Sequence, residues 1–257
     1  MSFMFGRLPH DPSQLAKAAN LGRYEIARRL PPPTLDRSAI HYRPQLFANN
    51  QIGDCTAAGM GNAALAVSAL NGSTAIVMEP AVVSFYSAVT GYDPNVPGSD
   101  RGAVLADVMS YQYNTGFQTG AQLLVGPWAT YNPQDRGLMA LTMAELGISI
   151  LGVKLSVNDM NAVSAGDVLD LPPTPGPNDV PGSAGLHCLL IFDYTGLNDT
   201  DLVTLPTWGM RQPATWRWVA DRVDEAHVVV WRNLQQVNGL NWNGIDYDRM
   251  EEEAAAL

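Results

Sequence analysis

Cys55 and His187 are the two side chains whose types and settings would support covalent chemistry. Cys55 ends a polar, turn-forming run, Asn49-Asn50-Gln51-Ile52-Gly53-Asp54, and begins a run of small apolar residues that reaches Leu70 and stops at Asn71-Gly72. This pattern predicts a loop feeding a helix, with Asp54 as N-cap and Gly72 past the C-terminus. A cysteine in a first helical turn meets free backbone N–H groups and the positive end of the dipole, and both favour thiolate. A thiolate nucleophile still needs a base from elsewhere. His187 lies 132 residues further on, in the β-prone run Gly185-Leu186-His187-Cys188-Leu189-Leu190-Ile191-Phe192-Asp193-Tyr194. It would take the thiol proton and later protonate the leaving group. The bland alternatives are a small buried cysteine in an Ala-rich helix and a satisfied core histidine. Local context alone favours them. His10, His41 and His227 have no comparable setting, and Cys188, on the opposite face of the strand, reads as core.

The flanking pattern predicts helices over Glu79–Thr90, with Pro80 at a favourable first position, over Leu105–Asn114, and over Pro133–Leu146. Strands are predicted at Ala121–Val125, at Ile148–Leu155, and at Ala226–Trp231, with a hairpin of Leu186–Tyr194 and Leu202–Leu205. Residues 1–46 read as an arm, with a helical pattern from Gln14 to Leu30 and then an extended Pro31-Pro32-Pro33. Residues 165–185, with five prolines and four glycines, form a long irregular loop just before His187. Residues 246–257 read as a solvated acidic tail. Helices first and strands later imply an α+β fold with its site between the halves.

Three segments together carry a family likeness. Gly53-Asp54-Cys55-Thr56-Ala57 resembles the nucleophile segment of bacterial papain-like cysteine peptidases. The His187 run resembles their histidine strand, and Thr207-Trp208-Gly209 resembles their Asn-Ser-Trp-Gly element. The order is the family's, and the Cys–His separation lies within its spacing of about 130–150 residues. Asp100-Arg101-Gly102 matches the family's Asp-x-Gly before a helix. Asn49-Asn50-Gln51-Ile52-Gly53-Asp54-Cys55 is similar to a divergent branch associated with bacteriophages and bacterial genomes. The resemblance implies a papain-like domain over 47–245, a helical half packed against a twisted antiparallel β half, and no cofactor or metal. Trp208 would then shield the histidine.

The likeness has two departures. The family's oxyanion-hole Gln falls here on Asn49, one methylene shorter, while Gln51 is two residues out of register. Losing such a donor costs about two to three orders of magnitude in rate. The family's third residue, an Asn that orients the imidazole, falls on Pro206, with Thr204 as a weak substitute on the same strand face. Asp54 beside Cys55 also opposes thiolate formation electrostatically.

Hydrophobic residues make up 46% of 257, enough for a sizeable core, and mean hydropathy is −0.04. A net charge of −10 argues against nucleic-acid and anionic-membrane partners. Two cysteines and no long apolar leader fit a reducing compartment, host cytoplasm or a virion, without secretion by a signal peptide. Asp224-Glu225-Ala226-His227 spells a helicase box, but no phosphate-binding loop accompanies it, and it reads as structural. Two functions remain. One is an active thiol hydrolase on peptide or isopeptide bonds through Cys55 and His187. The other is a degenerate papain-like module building a bacteriophage particle, its arm and 165–185 loop gripping neighbouring subunits. The missing third residue, the shortened donor and the arm weigh toward the second, and the retained pair toward the first.

Overall fold

The computed structural model describes residues 3–235, apart from positions 16, 17, 24, 74 and 121, so the acidic tail lies outside the described residues. In chain order the elements are α1 (Pro12–Leu15), β1 (Ala19–Asn20), α2 (Cys55–Leu70), α3 (Glu79–Thr90), α4 (Leu105–Asn114), β2 (Phe117–Gln118), β3 (Leu123–Leu124), β4 (Trp128–Tyr131), α5 (Arg136–Leu146), β5 (Ser149–Leu155), α6 (Val157–Ala165), β6 (Gly185–Ile191), β7 (Asp193–Tyr194), β8 (Leu202–Thr207), β9 (Met210–Thr215), α7 (Trp216–Arg222), β10 (Val223–Val229) and α8 (Arg232–Gln235). Among the described residues no helix is long and apolar enough to cross a membrane.

Two cores divide the molecule. The helical core joins α2 to Phe85 and Tyr86 of α3, Val108 and Met109 of α4, and Phe117. The β core gathers Leu141, Leu151, Val153, Trp216 and Trp218. β6 is the wall between them. Its side chains alternate, so Cys188 and Leu190 enter the helical core while Leu189 and Ile191 enter the β core. The main sheet runs β1-β4-β10-β5-β6, and β5 pairs antiparallel with β6 from Ser149↔Ile191 to Leu155↔Gly185. A second sheet, β7-β8-β9, continues from the end of β6. Its β8–β9 hairpin turns on Trp208-Gly209, both with positive φ (44° and 75°), as a tight two-residue turn requires.

Several expectations change. Gln14–Leu30 is not one helix, because the Asn20 side chain accepts from Gly22 N–H (2.9 Å) and closes a local turn against helical continuation. α5 begins at Arg136, where Asp135 caps Leu138 N–H (2.9 Å). Before the 165–185 loop lies an unforeseen helix, α6, which carries a Ser156/Asp159 capping box and ends at Ala165, and Pro177–Asp179 of the loop forms a short 3-10 turn. The rest is tied to this chain: Leu169 bonds to Pro213 and Thr215, and Asp170 pairs with Arg217. The foreseen hairpin is divided, as β6 pairs with β5 while β7 pairs with β8.

The helix nearest the site carries no charge and is buried on most sides, and its glycines permit close approach. A Cβ on Gly59 would stand 2.9 Å from Cys188 Sγ, so α2 lies hard against β6 one turn beyond Cys55. Gly59→Val should therefore lower stability by about 1–3 kcal/mol in urea unfolding, and Cys188→Ala should restore part of the loss. An unchanged midpoint would mean that helix and strand are not in close contact there.

Candidate functional site

α2 presents Cys55 and Gly59 on one face, a turn apart, and that face lies on β6 beside His187. Cys55 and His187 are each only 1% exposed. The His187 Nε2 is held by Thr207 Oγ1 at 2.7 Å, and the indole of Trp208 stacks on the imidazole, centroids 3.9 Å apart and planes 15° from parallel. Nδ1 is the ring nitrogen left without a hydrogen-bond partner, and Cys55 Sγ is not bonded to it in this covered state. The partner of His187 is therefore Thr207, rather than Thr204 or the Pro206 slot. Thr204 pairs with Asp193 across the sheet and bonds to its carboxylate. The tight Trp208-Gly209 turn brings the last residue of β8 to the ring, one position later than the sequence alignment suggested. A threonine beside the aromatic of a Thr-Trp-Gly run was the available signal.

Asn49 is buried, and its Nδ2 donates to the Ile52 carbonyl at 3.2 Å, so its amide braces the loop before α2. Gln51 is exposed. The free N–H groups of the first turn of α2, Cys55 N–H first, are the donors a developing oxyanion would meet. Phe47 and Ala48, just before Asn49, both have positive φ (48° and 66°), a strained geometry for side chains of their kind. Asp54 takes the N-cap position, yet its side chain makes no cap bond and is fully buried. Burial, partly offset by the Asn49 amide, pushes its carboxyl up to about 8. It is largely protonated at neutral pH, so its charge opposes a thiolate less than the sequence suggested.

The arm supplies the feature that sequence reading missed. Residues 3–8 run over the site as an extended strand. Met4 N–H donates to the Asn49 carbonyl (3.1 Å), Ala103 N–H to the Gly6 carbonyl (2.7 Å), and Leu8 N–H to the Ala103 carbonyl (2.9 Å). Gly6 passes between Gly53 and Gly102. A Cβ on Gly6 would strike the Gly53 carbonyl, and one on Gly102 would strike the Gly6 carbonyl. Asp100 fixes this gap from behind, accepting from Gly53 N–H (2.9 Å) and from Tyr86 OH (2.6 Å), while the Tyr86 oxygen accepts from Gly102 N–H (2.9 Å). Phe5 meets His187 edge-on at 6.3 Å and Trp208 at 6.2 Å, and Phe3 lies 4.7 Å from Trp208.

This cover sets the protonation state. Burial pushes the Cys55 thiol up to about 12, against the N–H groups of Cys188 and Gly6. Burial, aided by the positive charge of Arg7, pulls His187 down to about 3. The dipole expected to favour thiolate is outweighed by desolvation, and the covered pair is neutral across the physiological range.

Known structures share this arrangement of chain. Xylellain, a cysteine protease from Xylella fastidiosa, superposes with a TM-score of 0.64 and 14% identity, over 90% of this chain and 97% of that one. The digestive procathepsin L2 proteinase of Tenebrio molitor larval midgut gives 0.60 and 16%, over 89% and 78%. Procathepsin B S9 from Trypanosoma congolense gives 0.56 and 9%, over 89% and 86%. No family model and no curated protein sequence matches. The fold is therefore papain-like, of the cysteine-protease kind, with Cys55 at the helix start and His187 on the facing strand.

Two outcomes are expected. At pH 7 iodoacetamide should label Cys55 slowly, and Gly6→Val, which cannot pass between Gly53 and Gly102, should speed labelling at least about 10-fold by peptide mass spectrometry. Equal rates in both proteins would show that the arm does not control the thiol. For Asp54, the folded state holds its proton to higher pH than the unfolded state. The stability tied to this group is therefore intact below about pH 4 and falls as pH rises toward about 8. Asp54→Asn should accordingly be more stable than the parent at pH 8, by at least about 1 kcal/mol, and show little advantage at pH 4.

Proposed function

We propose that this chain is a thiol hydrolase of peptide or isopeptide bonds, kept silent by its own residues 3–8. The observation that carries the reading is the intact histidine support: Thr207 on Nε2, Trp208 stacked on the ring, and Nδ1 unpartnered. In the uncovered site Nδ1 takes the thiol proton, and the sulfur attacks the scissile carbonyl. The oxyanion gathers at the start of α2, the amine leaves with the proton from His187, and water resolves the acyl-enzyme. The arm's course supports the reading further. It lies as an extended peptide along the site and bonds through its backbone, so a substrate of like chemistry would occupy the same track once the arm leaves.

The alternative, a spent module in a bacteriophage particle, rested on an absent third residue, a shortened oxyanion-hole donor, and an arm and loop available to neighbours. The donor departure stands, since the Asn49 Nδ2 is taken by the Ile52 carbonyl and backbone N–H groups are left for an oxyanion. Thr207 fills the first gap, and both segments bond within this chain. The hydrolase reading therefore has the stronger support.

The test is cleavage of a mixed peptide library by the full-length Gly6→Val protein, read by mass spectrometry. Cleavage should disappear in the Cys55→Ala background and fall about 10-fold or more with Thr207→Val, which leaves Nε2 unsupported. A Gly6→Val protein that is folded, labels no faster at Cys55 and cleaves nothing would remove the reading.

A further inference from the structure

Arg7 is an arginine with its side chain wholly buried, one residue from the glycine that covers Cys55. Its Nη1 donates to Glu225 Oε1 at 2.5 Å and its Nη2 to Asp224 Oδ2 at 3.0 Å. Glu225 is itself wholly buried and accepts a second bond from His227 Nε2 at 3.1 Å. Burial alone would raise the Glu225 carboxyl. The His227 bond and the Arg7 charge outweigh it and hold the group below its ordinary value.

The receptor is built by two local features of the sheet. Between Val223 and Glu225 the pairing of β10 with β5 slips: Val223 faces Val153, and Glu225 faces Gly152. The extra residue is a bulge, which brings the adjacent carboxylates of Asp224 and Glu225 to one guanidinium instead of opposite faces of the sheet. Gly152 opposite leaves the space, because a Cβ there would strike Glu225 and stand 2.8 Å from Arg7 Nη1. His10 approaches both carboxylates as well, but the guanidinium already bridges them, so their geometry is matched to that planar cation.

A bulge and a glycine that together gather two acidic groups around one buried guanidinium, whose charge reaches both Cys55 and His187, are an unfavourable arrangement with no cation present. The arm satisfies them in this state. When residues 3–8 leave, Arg7 leaves with them, and Glu225 faces the cleft as a buried carboxylate without its charge partner. We propose that this pocket selects an arginine side chain of the incoming peptide, and that Arg7 occupies it in place of the substrate. The inference rests on the hydrolase reading above and adds the substrate class: peptides carrying arginine close to the scissile bond.

The experiment uses the full-length Gly6→Val/Arg7→Ala protein, in which the first change uncovers the site and the second empties the pocket, and matched fluorogenic peptides with arginine, citrulline or norleucine at one position, scanned along the peptide. Citrulline keeps the shape of arginine and removes the charge. At one position arginine should exceed citrulline at least 100-fold in kcat/KM. That ratio should fall below about 10 with Glu225→Gln and fall by less with Asp224→Asn, whose site is half-open and whose folding is at lower risk. Thermal melting confirms that each variant is folded. Equal kcat/KM for arginine and citrulline at every position would overturn the arginine pocket and leave the hydrolase standing. Cleavage of no peptide, with Cys55 slow to alkylate in a folded Gly6→Val/Arg7→Ala protein, would overturn the hydrolase reading and the pocket's role with it.

Discussion

The close approach of α2 to β6 is the constraint on which the site depends. Gly59 lets the helix lie against Cys188 so tightly that a single added carbon would not fit. One turn earlier on the same face is Cys55, and one residue earlier on the same strand is His187. The thiol and the imidazole are thus positioned by packing between a charge-free helix and a strand shared by both cores. The consequence is burial. A thiol and an imidazole set in such a wall are desolvated from both sides, and desolvation disfavours thiolate and imidazolium alike. The same packing that places the thiol and the imidazole therefore keeps both neutral, and their protonation depends on what covers the open side.

The cover is a peptide strand rather than a separate lid. Its bonds are backbone bonds to Asn49 and Ala103, its passage needs three glycines, and its side chains fill places beside the site: Phe5 at the histidine, Arg7 at the carboxylates. Ordering such a segment costs conformational entropy at every residue, about 1–2 kcal/mol each. The ion pairs of Arg7 and the rings of Phe3 and Phe5 offset that cost where the strand would otherwise fray. The Tyr86–Asp100 pair contributes from behind by fixing Gly53 and Gly102, so the gap is preformed for any strand that enters it.

Much of this was legible in the sequence, and the parts that were not share a physical cause. The helix from Cys55 to Leu70, its charge-free character and its stop at Asn71 followed from composition and turn residues. So did α3, α4 and the strand carrying His187. The partner of His187 was placed at Thr204, three residues before Thr207, because a two-residue turn with positive φ at Trp208 cannot be foreseen from a side chain that normally avoids that region. The role of Arg7 was hidden for another reason. Its partners are more than 200 residues away, and the bulge that aims Asp224 and Glu225 at it is a property of strand register. A run of Asp-Glu-Ala-His on a strand shows alternation, and alternation predicts opposite faces, which is what the bulge overturns. The Ser156/Asp159 capping box marks the start of α6 in the sequence itself.

Release of the arm would act on the two reactive groups unequally. Removing Phe5 and Gly6 admits water, which relieves the desolvation that pushes the thiol up and the imidazole down. Removing Arg7 also takes away a positive charge that lowers both. For His187 the two effects add, and its basicity rises. For Cys55 they oppose, but desolvation is the larger influence, so the thiol still becomes more acidic. The two groups therefore move toward one another, which is the direction in which a neutral pair becomes an ion pair. A bound substrate arginine would restore a cation beside the site and draw the thiol further down. The charge that now lies beside the covered thiol and imidazole would then, when supplied by a bound peptide, favour thiolate at Cys55 while lowering His187.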